Sequence, residues 1–203
     1  MEKGVNLMYI NILLFNDFES LDAFGPVEVF GCVDKYKLRY VSMDGGIIKS
    51  RQHVPVMTEK LALENFSGLL LIPGGQGVRP LANNDLFIHA LKKFVNKAEY
   101  CLTVCTGSVL LAKTGCINNK KATSNKRAFT WVKNSCPEVN WQETARWVVD
   151  GKYYTSSGVS AGIDMSLGFI ADKLGKQEAD DIAIKMEYIW NENKDKDNFS
   201  VQR

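Results

Sequence analysis

Tyr100-Cys101-Leu102-Thr103-Val104-Cys105-Thr106-Gly107-Ser108-Val109-Leu110-Leu111-Ala112 is the stretch on which the fold of this chain turns. Tyr100 to Val104 reads as a short buried strand. Ser108 to Ala112, closed by Gly115, reads as a buried helix. Cys105 lies on the sharp turn between them, and a glycine two positions later lets the helix pack close to the strand. Strand, turn and helix in immediate succession are the unit from which parallel sheets are built.

Working outward, the same pattern recurs. Gly68 to Ile72 is a second buried strand, stopped by Pro73-Gly74-Gly75. Met8 to Phe15 is nearly continuous apolar sequence, as a central parallel strand covered on both faces requires. A connector over 16–25 follows it, and Pro26 suits a first helical turn ahead of Val27, Val29 and Phe30. Lys37 to Met43 alternates in part, and Asp44-Gly45-Gly46 turns into another short extended segment. Asn84 is placed to cap a helix whose inner face carries Leu86, Phe87, Ala90, Leu91, Phe94 and Val95. Ala145 to Val149 and Lys152 to Ser156 flank Asp150-Gly151, a two-residue hairpin signal. Two helices follow, Ala161 to Leu174 with Gly175 as its stop, and Glu178 to Trp190. The polar tail 191–203 is expected to be loose at its end. With no repeat, linker or low-complexity block, the reading is one α/β domain over 1–203.

Composition narrows the class. The 203 residues are 45% hydrophobic and 24% charged, with Lys+Arg 25 against Asp+Glu 23. A net charge of +2 supplies no basic field for nucleic acid. No apolar run reaches the ~20 residues of a membrane helix, and the first residues lack a signal-peptide pattern. The five cysteines are scattered, with no Cys-x-x-Cys spacing. These features point to reduced thiols in a cytoplasmic protein, without nucleic-acid, membrane, metal or cofactor partners.

In open α/β sheets the ligand crevice lies beyond the carboxyl ends of the strands. The first connector, the Pro73–Gly77 loop and the Cys105 turn meet there. Cys105 is placed as a nucleophile, with helix-terminal N–H groups expected to favour its thiolate; a small buried hydrophobe is the equal alternative. Cys32, Cys101, Cys116 and Cys136 read as packing residues. The Pro73–Gly77 loop offers either oxyanion donors or a tight turn. His53 and His89 lie far from these loops. A proton partner for Cys105 therefore comes from Glu19 or Asp22, and a carboxyl closed against a cysteine tends to keep its own proton.

Five motifs then fall in register: Leu13-Leu14-Phe15, Leu21-Asp22-x-x-Gly25-Pro26, Pro73-Gly74-Gly75, Val104-Cys105-Thr106-Gly107-Ser108 and Ser160-Ala161-Gly162-Ile163-Asp164. With Ala122-Thr123 and Glu187-Tyr188, they resemble the ThiJ/PfpI superfamily over roughly residues 8 to 190. The resemblance implies a flavodoxin-like sandwich with a mostly parallel sheet, akin to class I glutamine amidotransferase domains, and a homodimer. It carries the nucleophile role to Cys105, the acid role to Asp22, and backbone oxyanion donors to Gly75 and Thr106. Cys105-Thr106 differs from the Cys-His of the peptidase-like branch. Leu-Asp with Val-Cys-Thr-Gly-Ser is closest to isocyanide (isonitrile) hydratases and to the sensor domains of AraC-type regulators, which carry a further helix-turn-helix module. The resemblance thus implies hydration of a small isonitrile to a formamide. The alternatives are glyoxalase or deglycase activity on α-oxoaldehydes, and a redox or ligand sensor. One departure stands out: relatives often read Ala-Thr-Thr-His where this chain has Ala122-Thr123-Ser124-Asn125.

Overall fold

A computed structural model describes residues 7–200. The strands are β1 (Met8–Leu13), β2 (Tyr36–Ser42), β3 (Gly46–Lys49), β4 (Pro55–Lys60), β5 (Leu69–Ile72), β6 (Tyr100–Thr103), β7 (Lys121–Ala122), β8 (Asn140–Trp141), β9 (Trp147–Asp150) and β10 (Tyr153–Ser156). The helices are α1 (Ser20–Gly31), α2 (Val78–Leu81), α3 (Asp85–Lys97), α4 (Gly107–Lys113), α5 (Phe129–Ser135), α6 (Ala161–Leu174) and α7 (Lys176–Lys185). Eight strands form one sheet in the order β3-β4-β2-β1-β5-β6-β10-β9. Every pairing from β4 to β10 is parallel, and the antiparallel hairpin partners β3 and β9 close the two edges.

The central strands explain this order. All four residues of β5 are buried, as are the last four of β1 and the last three of β6. Strands so apolar need cover on both faces, which crossover helices provide. The helices fall into two packed groups, α1 with α6 and α7, and α4 with α2 and α3. Phe169 of α6 anchors the first group, meeting Phe30, Tyr100 and Tyr154 edge-on at 5.9, 5.1 and 5.2 Å between ring centroids.

Three expectations change: the bounds of α1, the end of α7 and the place of Leu86. Helix α1 begins at Ser20, so Pro26 sits inside it and the connector ends at Glu19. A proline is costly in a helix interior, but packing outweighs that cost here: Gly25 and Pro26 are buried, and Gly25 has no room for a Cβ beside Ile163, 2.8 Å away. Helix α7 ends at Lys185, five residues before Trp190, and Glu187 turns the chain at φ +50°. The tail is docked as far as residue 200. Lys194 O accepts the Arg146 and Trp147 N–H groups at 2.7 and 3.2 Å, Asp197 N–H donates to Thr144 O at 2.7 Å, and Asp197 is buried. Residues 201–203 lie outside the described residues. On α3, Asn84 caps as expected, accepting the Phe87 N–H at 3.1 Å, whereas Leu86 is 85% exposed rather than on the inner face.

Candidate active site

The turn after β6 holds Cys105 at φ +57°, a left-handed conformation that a non-glycine residue adopts at a cost. Its backbone is fixed on both sides. Cys105 N–H donates to Ser157 O at 3.0 Å, and Cys105 O accepts the Ser108 and Ser124 hydroxyls at 3.0 and 2.9 Å. Gly107 permits the geometry, because a Cβ there would lie 2.3 Å from Ile72 O and 2.7 Å from Pro73 O. Gly74 does the same for the opposing loop, since its Cβ would lie within 2.8 Å of Thr106 and the Asp22 carboxylate. The two glycines let the end of β5, the elbow and α1 meet without side chains between them.

Asp22 enters this junction from the first turn of α1 and is fully buried. Its Oδ2 accepts the Gly74 N–H at 3.0 Å. Oδ1 has no well-formed hydrogen bond, and the Cys105 thiol is the side-chain group that bears on this carboxyl. Burial, with a smaller push from Glu19, raises the Asp22 pKa to about 7, against the opposing pull of the Gly74 N–H and the thiol. Burial also pushes the Cys105 thiol up, and the Asp22 charge adds to it. Hydrogen bonds from the Thr106 N–H, the Asn125 side chain and the Thr106 hydroxyl pull the other way and are outweighed.

The elbow therefore does not favour a free thiolate. Cys105 is only 7% exposed, and α4 is a single short helix. Desolvation and the neighbouring carboxyl overcome the helix-terminal N–H groups. Burial instead strengthens the hold of the carboxyl on its own proton, raising its pKa to about 7, in the direction a closed Cys–carboxyl pocket predicts.

The other candidates separate cleanly. Gly75 N–H donates to Thr106 Oγ1 at 3.2 Å, so the two expected backbone donors sit side by side at the elbow. Glu19 turns away toward Gln52 and Arg51. His53 and His89 are exposed. Cys101 and Cys136 are buried, and Cys32 and Cys116 half-buried. Phe24 packs on Phe18 and Tyr40, Phe129 lies in the core, and Trp131 sits under the Arg79 guanidinium. Among the described residues no cluster of His, Cys, Asp or Glu gathers to hold a metal. A cavity of about 330 Å³ lies beyond the Pro73–Gly77 loop, between Phe15, Asp17, Met43, Ile48 and Phe87, and neither Cys105 nor Asp22 lines it. Sequence reasoning missed Ser124 and Ser157, which hold the elbow backbone. Asn125 appeared there only as a departure; its Oδ1 accepts the Ala128 N–H at 3.1 Å and its amide packs against Gly158, beside Ser157.

Fold and site define an α/β protein with a cysteine on a strand-to-helix elbow beside a buried carboxyl. The chain belongs to the DJ-1/PfpI family, whose profile matches residues 8–172. It is 27% identical to the isonitrile hydratase of Pseudomonas putida over 89% of this chain and 78% of that protein. It is 24% identical to protein/nucleic acid deglycase 2 of Escherichia coli over 66% of this chain and 80% of that protein. A THiJ/PfpI family protein from Pseudomonas syringae superposes with a TM-score of 0.79 at 23% identity, covering 94% of this chain and 80% of that one, and confirms the mostly parallel α/β fold. The family thus includes enzymes. No helix among the described residues is long and apolar enough to cross a membrane.

Proposed function

We propose that this chain hydrates an isonitrile, R–N≡C, to the N-substituted formamide R–NH–CHO. One observation carries the reading: the fully buried Asp22 carboxyl, its pKa raised to about 7, meets the Cys105–Thr106 elbow at Gly74, where a Cβ would lie within 2.8 Å of both Asp22 and Thr106. Similarity to the Pseudomonas putida isonitrile hydratase supports the substrate class. Asp22 gives its proton to the terminal carbon, which becomes a nitrilium-like electrophile. The sulfur bonds to that carbon, and the thiol proton passes to the Asp22 carboxylate, leaving a thioimidate, R–N=CH–S–Cys105. Water adds to the carbon, nitrogen takes a proton, the C–S bond breaks, and the thiol is restored as formamide leaves. Once sulfur is bonded to carbon, the Thr106 N–H is available to the oxygen of the tetrahedral intermediate, and the Gly75 N–H joins it only by giving up its bond to Thr106 Oγ1.

The test supplies an alkyl isonitrile and follows formamide by NMR. Wild type should form it and Cys105→Ala should not. Asp22→Asn should be slower by about 100-fold or more, the usual worth of a positioned acid. Because the acting form of Asp22 is the protonated one, turnover should fall as pH rises through about 7. Formamide from Cys105→Ala at the wild-type rate would refute the nucleophile role. The deglycase relative supports a second reading, cysteine attack on an α-oxoaldehyde. Lactate from methylglyoxal, with no formamide from isonitrile, selects it. In either reading the protein is a cytoplasmic homodimer with no resident cofactor, and a monomer in sedimentation at micromolar concentration removes the dimer.

A further inference from the structure

Helix α1 carries Asp22 in its first turn, yet Glu19, the residue at its N-cap, makes no capping hydrogen bond with its own side chain. Another element supplies the cap. Gln52, on the loop between β3 and β4, accepts the Ser20 N–H at 3.1 Å and the Ser20 hydroxyl at 2.8 Å, both on Oε1. Its Nε2 donates to one oxygen of the Glu19 carboxylate, and the other oxygen lies 3.8 Å from the Arg51 guanidinium. The loop that presents Gln52 is closed on itself. Ser50 N–H donates to Val54 O at 3.0 Å, Val54 N–H to Ser50 Oγ at 3.1 Å, and His53 N–H to Ser50 O at 2.9 Å. It is also tied to the entry of α1, because the Arg51 N–H donates to Phe18 O at 2.9 Å and Ser50 pairs with Phe18, which pairs in turn with Gly75.

From this cap the bonds run into the site. Glu19 N–H donates to Gly74 O at 2.9 Å, Gly74 N–H to Asp22 Oδ2 at 3.0 Å, and Asp22 N–H to Glu19 O at 3.1 Å, a closed ring. We propose that Gln52 is a positioning residue for Asp22: by capping α1 at Ser20 and tying the Glu19 side chain to its own loop, it fixes the first turn so that the Asp22 carboxyl stays at the Gly74 junction. This rests on the acid role given to Asp22 above. Gln52 itself touches no reacting atom. An amide suits both contacts, since it accepts and donates at once and does not titrate. A helix start whose N–H groups lose their partners frays, and an acid on a fraying turn loses its aim and its dry surroundings together. A displacement of about 1 Å is enough to cost on the order of 100-fold in rate.

Two variants test it. Gln52→Ala removes both contacts, and because Gln52 is exposed the core stays intact. The double variant Gln52→Glu with Glu19→Gln exchanges donor and acceptor, keeps an acceptor for Ser20 and leaves the net charge unchanged. The first readout is the Asp22 carboxyl titration followed by carbon NMR; the titratable groups that act on Asp22 are Glu19 and Cys105. The second is formamide turnover, separated into kcat and KM. In Gln52→Ala the Asp22 midpoint should fall below its wild-type value of about 7, because burial is the main cause of that value and a loosened turn admits water. Its kcat should drop by about tenfold with KM near wild type, the mark of a misplaced acid rather than of lost binding. The double variant should restore both. An unchanged Asp22 midpoint in Gln52→Ala overturns the proposal, and so does a fall that the exchange does not reverse. If wild type makes no formamide but the midpoint still falls in Gln52→Ala and returns in the exchange, the isonitrile reading fails and the positioning role stands.

Discussion

Asp22 and Asp164 are both fully buried carboxylates, carried by α1 and α6, two helices that pack against each other. Their surroundings are opposite. Asp164 Oδ2 pairs with the Arg146 guanidinium at 2.5 Å, and Oδ1 accepts the Tyr188 hydroxyl and the Asn191 N–H at 3.1 and 3.0 Å. Asp22 has the Gly74 N–H and a thiol. Burial raises the pKa of both, but at Asp164 the Arg146 charge opposes burial before any other group does. A carboxylate with a cation and two further donors is a fixed charge holding other elements in place. One with a single N–H is an acid whose proton can move. The contrast separates a structural carboxylate from a chemical one where burial alone cannot.

The largest effect expected from this contrast is on stability. Asp164→Asn leaves Arg146, itself buried, with Asp197 at 3.9 Å as its one carboxylate and Ser160 Oγ at 3.5 Å among the described residues. Breaking one side of a buried pair costs about 3–5 kcal/mol, so the urea midpoint should drop sharply. The docked tail should loosen with it, since Tyr188 and Asn191 bond to the Asp164 carboxylate. An unchanged midpoint would make the network incidental and dissolve the contrast.

The same chemical change at Asp22 should do the reverse. Its carboxyl has a pKa near 7 folded and 3.8 when exposed. The folded protein therefore holds this proton more tightly than the unfolded chain. Its contribution to stability is full below about 3.8 and is lost as pH rises toward and through 7. Asp22→Asn removes that loss. At about 1.4 kcal/mol per pK unit, the variant should exceed wild type by up to roughly 4–5 kcal/mol at alkaline pH and by nothing near pH 3–4. Denaturation at the two pH values checks it. A gain together with lost turnover marks Asp22 as a residue kept for chemistry at a cost in stability.

How much of this was legible depends on which interactions decide each element. The central strands β1, β5 and β6 were plain because continuous apolar runs have few other solutions, and the β9–β10 hairpin because Asp150-Gly151 has one preferred turn. Cys105 followed from its position on the elbow after a strand; position left Glu19 and Asp22 open as its partner, and the family resemblance chose Asp22. Long-range contacts were not legible. Pro26 is tolerated inside α1 because α6 packs against that face, and the tail docks because Arg146 and Asp164 capture it. Neither partner has a local signature. The pairing of β7 with β8, two residues each, has no periodicity to read. The thiol's charge state was misjudged for a related reason: the turn motif shows the donors but not how completely the pocket excludes water.

The smallest effect sharpens the comparison at its structural end. Asp197 is a third buried carboxylate, with Oδ2 at 3.9 Å from Arg146 and no hydrogen bond, and Oδ1 accepting the Phe199 N–H at 2.9 Å. Asp197→Asn keeps an acceptor for Phe199 and removes the more distant charge, while Arg146 retains its contact with Asp164. The cost should be about 1 kcal/mol, near the worth of a single net polar interaction. Because both aspartates serve one guanidinium, their effects should not add. With Asp164 already replaced, Asp197 becomes the remaining carboxylate facing Arg146, and its loss should cost more than it does alone. A double-mutant cycle in urea should show a coupling of at least ~0.5 kcal/mol. Strict additivity would mean that Arg146 is held by Asp164 alone, and that the tail docks through its backbone hydrogen bonds to Arg146, Trp147 and Thr144.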